Sequence, residues 1–150
     1  MKKMATIALC LILLSSFVLS VSAVSQSRLI YANVTQLDNG ISIVEEVFDI
    51  SQSRSTDKTY VRRSTFTRDG ETIAVIAFNA TYRYDGTSVS VISKSVTQTD
   101  TYNGWSFSQK SFTSSGGTVT LTGKLTKWLV LNTDISMAMT CDKNGNVSHH

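Results

Sequence analysis

Between Thr72 and Tyr84 the chain runs at a period of two. Ala74, Ile76, Phe78, Ala80, Tyr82 and Tyr84 fall on one face, with Thr81 and Arg83 toward the other. Successive side chains of a β-strand point to opposite faces, so this pattern fits a strand and not a helix. One face of so long a strand is apolar and needs a facing layer to cover it. The rest of the chain must supply that layer.

The remaining segments read the same way. Asp38-Asn39-Gly40 is a turn signal, and Ile41 to Ile50 follows as a strand rich in Ile, Val and Phe. Ser51 to Asp57 is polar throughout. Thr59 to Arg68 is a strand closed by Asp69-Gly70. Asp85-Gly86 is a second two-residue hairpin signal, because both central residues of a type I′ turn need positive φ. Ser88 to Thr99 and Trp105 to Phe112 are further strands on either side of a loop at Asp100 to Gly104. Val119, Leu121 and Leu125 alternate with Thr and Lys. After a break at Lys127-Trp128, Leu129, Leu131, Ile135, Met137, Met139 and Cys141 repeat at period two, before a terminal turn at Asp142 to Asn146. About seven strands are predicted on this spacing. Short loops make neighbouring strands antiparallel. The expected fold is all-β: an antiparallel two-sheet sandwich, immunoglobulin-like, in preference to a closed barrel.

The chain's start reads as a targeting segment. Lys2-Lys3 precede an apolar run from Met4 to Leu14, which resumes at Phe17-Val18-Leu19. Val21-Ser22-Ala23 then places a small residue at −1 and a small aliphatic at −3, the pattern a signal peptidase reads. The run is short and broken by Ser15-Ser16, which argues against a retained span. The expected organisation is a signal peptide at 1–23, an N-terminal arm at 24–37 and a β-sandwich domain at 38–150. The arm has no clear period, although Leu29-Ile30-Tyr31 fits a short docked edge. Lys2 and Lys3 carry two of the three net positive charges of the chain. The exported form is therefore nearly neutral and lacks the basic footprint of a nucleic-acid binder.

The cysteines divide at the same place. Cys10 leaves with the signal peptide and Cys141 remains alone, so no intramolecular disulfide can form. A buried inert thiol is expected; a dimer bridged through Cys141 is the alternative to a monomer. His149 and His150 are the only histidines and sit at the end of the sequence, so no catalytic dyad or His-based metal site is expected. Asp142 to Asn146 has oxygen ligands at alternate positions but lacks the downstream bidentate acid of a calcium loop, and reads as an Asn-Gly turn. No cofactor is expected. Glu45 and Asp49 share a strand face and are the only candidates for a paired-carboxylate glycosidase, although a solvated strand face explains them equally.

The aromatic side chains are the better candidates for binding. Tyr82, Tyr84, Tyr102 and Trp128 offer flat apolar faces, the tyrosines and indole each with a polar handle. Trp105 reads as a buried anchor. Trp128 lies at the corner between two strands beside Lys127. It is either a core side chain or an exposed platform, and it is the first to test.

Certain segments also resemble a group of small, uncharacterised secreted β-rich proteins of Gram-positive bacteria. The resemblance spans roughly Leu37 to Ser148. It rests on Leu37-Asp38-Asn39-Gly40-Ile41-Ser42, on Phe78 through Tyr82-Arg83-Tyr84-Asp85-Gly86-Thr87, and on Gly104-Trp105-Ser106. It continues through Lys110-Ser111 to Gly117-Thr118-Val119-Thr120-Leu121 and closes on Thr140-Cys141-Asp142-Lys143-Asn144-Gly145-Asn146-Val147-Ser148. The resemblance implies a secreted β domain and no catalytic residues. It also implies that some members pair the equivalent of Cys141 with a Cys in the strand after the Tyr-Asp-Gly turn. Here that strand reads Ser88-Val89-Ser90-Val91-Ile92-Ser93, without one. The expected function is a secreted, non-enzymatic binding module for an extracellular glycan or protein. A carboxylate-dependent glycan-cleaving enzyme and a bacteriocin-like effector are the alternatives.

Overall fold

The computed structural model describes residues 27–37, 39–52, 56–128 and 130–149. The expected signal peptide lies outside the described residues. Among them are nine strands and no helix: β1 Arg28–Gln36, β2 Ile41–Asp49, β3 Asp57–Arg68, β4 Glu71–Tyr84, β5 Val89–Thr101, β6 Trp105–Ser115, β7 Thr118–Lys127, β8 Leu131–Cys141 and β9 Val147–His149. They form two antiparallel sheets, β1-β2-β3-β4-β5 and β6-β7-β8-β9. No helix of the described residues is long and apolar enough to cross a membrane.

Strand β4 is the spine of the five-stranded sheet, as its alternation predicts. Ala74, Ile76, Phe78, Ala80 and Tyr82 are fully buried, and they meet Val119, Leu121, Leu125, Met137 and Met139 of the other sheet in one core. Full burial of a side chain such as Phe78 or Ile76 contributes about 1.5–3 kcal/mol. Phe78 and Phe112 close edge-to-face across the sheets, with ring centroids 5.5 Å apart. Gly123 lies within β7 because the Phe107 ring occupies the space of its missing side chain: a Cβ there would stand 2.2 Å from Phe107 Cε2.

The strand order differs from the expected one. An immunoglobulin-like sandwich interleaves the chain between its sheets. Here sequence neighbours are sheet neighbours throughout, and the chain completes the first sheet before it starts the second. Two strands beyond the expected seven account for the count. The segment expected as an arm is a nine-residue edge strand, β1, paired with β2 from Arg28↔Asp49 to Gln36↔Ser42. Its side chains are nearly all exposed, so burial leaves no period to read. The terminal turn is followed by β9, three residues paired with Met139, Thr140 and Cys141.

The turns divide by local chemistry. Asp69 (φ 52°) and Gly70 (φ 82°) both take positive φ and join β3 to β4 in two residues. Asp85-Gly86 does not repeat this. Only Gly86 is left-handed there, and the Asp85 carboxylate accepts from Thr87 N and Ser88 N at 2.8 Å, which spreads the turn over four residues.

One interior residue breaks the apolar pattern. Arg62 on β3 is fully buried and is the largest side chain so enclosed. Its guanidinium donates to the Glu45 carboxylate on β2 and to the Ala138 carbonyl on β8, joining the two sheets. Burial pulls the guanidinium below its ordinary pKa, and the Glu45 charge opposes that shift. Removing one partner of a buried pair strands the other charge, at a cost of about 3–5 kcal/mol. Glu45 retains some contact with water. Glu45→Leu is therefore expected to cost about 3 kcal/mol in urea unfolding, at the lower end of that range. The double variant Glu45→Leu/Arg62→Met regains most of the loss. A double variant no more stable than Glu45→Leu would contradict this account.

Candidate functional site

Three connections gather at one end of the sheets. Asp69-Gly70 joins β3 to β4, Asn103-Gly104 joins β5 to β6, and Trp128 and Val130 lie on the link from β7 to β8. Asn103 (φ 56°) and Gly104 (φ 77°) form a tight turn closed by Trp105 N donating to Tyr102 O at 3.0 Å. Asn103 Nδ2 donates to Glu71 Oε2 at 3.1 Å, which fastens the second turn to the start of β4. Between the connections is a cleft of about 510 Å³, bordered by Arg68, Asp69, Glu71, Asn103, Lys127, Trp128 and Val130, with Trp105 and Ile73 at its base. This lies within the size range of small-molecule sites.

Trp128 dominates the cleft. It is 79 % exposed, and Val130 beside it is 80 % exposed. Its backbone is left-handed at φ 48°. That conformation is costly for a residue with a side chain, about 1–3 kcal/mol, and such residues concentrate at functional sites. Lys127 Nζ stands 5.5 Å from the ring centroid. A cation at an exposed ring contributes only about 0.5–1 kcal/mol, so an incoming ligand displaces it at small cost. Trp105, in contrast, is buried as the anchor the sequence predicts.

The four aromatic candidates do not come together. Trp128 lines the cleft. Tyr102, 43 % exposed, precedes Asn103 in the adjoining turn. Tyr82 must be withdrawn as a surface binder: it is fully buried, its hydroxyl donates to Met139 O at 3.0 Å, and its ring lies 6.1 Å from that of Tyr60. The alternation that made it visible is the alternation that buries it. Tyr84 is withdrawn too. It is half-buried and packs under Gly145, where a Cβ would stand 2.3 Å from Tyr84 Cζ. Arg68, Asp69, Glu71 and Asn103 were missed as cleft residues. The sequence marks Asp69 and Asn103 only as turn formers, and nothing local shows that the two turns adjoin.

The carboxylate pair fares no better. Glu45 is held by Arg62, and Asp49 Oδ1 accepts from Ser51 N at 2.9 Å. The two carboxylates are thus each engaged by a separate partner. Asp142 caps its own loop, accepting from Asn144 N, Asn146 N and Asn146 Nδ2 at 2.8 Å each. Its oxygens serve the turn. Comparison with known protein families, with curated proteins and with solved structures gives no match, so the site is read from its own residues.

Cys141 is a free thiol, 1 % exposed at the end of β8. A bridge to a second chain would require the sheet to open there. Burial, with a smaller contribution from Asp142, pushes the thiol up to about 11. At pH 8 its thiolate is then roughly a hundredfold scarcer than in the unfolded chain. Ellman's reagent is expected to label the folded protein at least about a hundredfold more slowly than the protein in denaturant. Immediate stoichiometric labelling in native buffer would contradict the burial.

Proposed function

We propose that the chain is a secreted, non-enzymatic binding module that takes a surface polysaccharide at the Trp128 cleft. The reading of secretion is supported by Lys2-Lys3, the apolar run after them and Val21-Ser22-Ala23. The binding reading rests on one observation: an indole 79 % exposed at the rim of a cleft edged by carboxylate, amide and guanidinium groups. A pyranose presents an apolar C–H face and a periphery of hydroxyls. The first stacks on an aromatic ring, and the second hydrogen-bonds to planar polar side chains. Trp128 supplies the ring; Asp69, Glu71, Asn103 and Arg68 supply the polar edge. Asp69 is almost fully exposed and only loosely paired with Arg68 at 3.8 Å, so its carboxylate has lone pairs to offer sugar hydroxyls.

The position of the cleft favours a chain over a monosaccharide. It opens at the tips of three connections, where a polymer can pass without entering the core. A glycan array probed with the protein from residue 24 onward is expected to give saturable binding to a subset of polysaccharides. Trp128→Ala should weaken that binding at least about tenfold, equal to about 1.4 kcal/mol, with an unchanged unfolding midpoint. Val34→Ser, on the exposed outer face of β1, should leave it unchanged. Equal affinity of Trp128→Ala and the parent, or sugar release from the bound glycan, would overturn the reading.

A further inference from the structure

The charges of the Trp128 cleft are divided between the two sheets. The five-stranded sheet contributes Arg68, Asp69 and Glu71, on and beside the turn from β3 to β4. The four-stranded sheet contributes Lys127, the last residue of β7, with Trp128 after it. Both carboxylates have partners: Arg68 stands beside Asp69, and the Asn103 amide donates to Glu71 at 3.1 Å. Gly104, which follows Asn103, is the residue that lies against the indole nitrogen. Glu71 thus meets the turn, and the turn meets the indole. Lys127 differs. Among the described residues it forms no ion pair. Its ammonium faces only the indole, 5.5 Å from the ring centroid, and a cation at an exposed ring is weakly held.

We infer that the cleft prefers an acidic polysaccharide built from uronic acid units, and that Lys127 determines the preference. The inference rests on the reading of the cleft as a polysaccharide site. Stacking and charge agree in one pose. The apolar face of the sugar covers Trp128, and Lys127, released from the indole, donates to the carboxylate at one edge of the sugar. Hydroxyls at the other edge donate to Asp69 and Glu71, which as carboxylates accept and do not donate. A neutral sugar makes the same stacking and hydroxyl contacts but gives Lys127 nothing to bind. A basic sugar sets its ammonium against Lys127. A phosphodiester between two sugars lies beyond the ring that Trp128 covers, whereas a uronate carboxylate is fixed to that ring. An exposed ion pair changes affinity by up to about fivefold, so the effect is a preference and not an absolute requirement.

The test uses the chain from residue 24 on a glycan array that includes matched pairs: oligomers of glucose, galactose and mannose beside glucuronate, galacturonate and mannuronate oligomers of the same linkage, with phosphodiester-linked glycans as a third set. In dilute salt the acidic member of the best-bound pair is expected to bind about three- to fivefold more tightly than its neutral partner. Lys127→Gln should bring that ratio to about one, and Lys127→Arg should keep it. Lys143→Gln removes the same charge from the exposed turn after β8 and should leave the ratio unaltered. In 1 M salt, where charges are screened beyond about 3 Å, the parent's ratio should also fall to about one. An acidic member bound no better than its neutral partner, a ratio unchanged in Lys127→Gln, or phosphodiester glycans bound ahead of uronates would each overturn the inference. If Trp128→Ala still loses binding in those cases, the polysaccharide reading stands. Binding to no glycan at all would overturn both.

Discussion

The bond from Arg62 to the carbonyl of Ala138 is the contact on which the relation of the two sheets turns. A sandwich held by apolar packing alone can slide, because burial has no direction. A guanidinium fixed on β2 by Glu45 and on β8 by a carbonyl is directional. The Tyr82 hydroxyl on Met139 O and the Lys94 ammonium on Phe112 O repeat the device at other points. In each case a side chain of the five-stranded sheet takes a backbone carbonyl of the four-stranded sheet. The register between sheets is thereby fixed by polar contacts, while the stability comes from the apolar residues around them. Arg62 contributes less to net stability than its burial suggests, since desolvation offsets much of its attraction to Glu45.

The same contact explains a cavity of about 120 Å³ on the seam between the sheets, with β2 and β3 on one side, β8 on the other, and Glu45 and Ser64 among its polar lining. β9 covers only Met139 to Cys141 of β8, so the stretch from Leu131 to Ala138 has no further strand beside it among the described residues. Asn39 Nδ2 donating to Thr133 Oγ1 at 2.7 Å closes the gap at one end. Arg62 reaches Ala138 at the other. Between these two ties the sheets touch through Ile43, Phe66, Ile135 and Met137, and the packing stays incomplete. A cavity with a polar wall follows from joining two sheets by discrete bonds rather than by a continuous ladder.

Much of this fold is legible in the sequence where burial is one-sided. β7 and β8 alternate cleanly, and β4 does so apart from Ile73 and Ala77, which are buried on its other face. β1 and β9 were not read as full strands, because exposed edges carry no apolar period and are made by backbone pairing to a neighbour. The site divides on the same line. Trp128 stands out because a large aromatic at a break between two strands is conspicuous. Tyr82 and Tyr84 misled because a tyrosine in an alternating run carries the same letters whether its hydroxyl reaches water or a carbonyl. Arg62 was invisible for the opposite reason: in Thr59 to Arg68 it looks like one of several solvated cations, and only its register on the inner face of β3 makes it interior. Asn103 and Glu71 are 32 positions apart, and their contact exists only once the two turns are adjacent.

The conformation of Trp128 connects fold and function. β7 ends at Lys127 and β8 begins at Leu131, so the reversal must be made in the residues between. One of them takes a left-handed backbone, and glycine or asparagine would do so at lower cost. A tryptophan there incurs the strain and also forgoes the burial its ring would gain in a core. Little of either loss is recovered within the folded chain, for the ring stays 79 % exposed with Lys127 beside it. Gly104 lies against it: a Cβ there would stand 3.7 Å from the indole Nε1, an ordinary van der Waals distance. A side chain kept out at such cost, over a turn that accommodates it, is in position to recover apolar contact from a ligand. On the proposed reading, a bound sugar ring would cover apolar surface that the protein leaves open, whereas the backbone strain, the same with or without ligand, adds nothing to affinity.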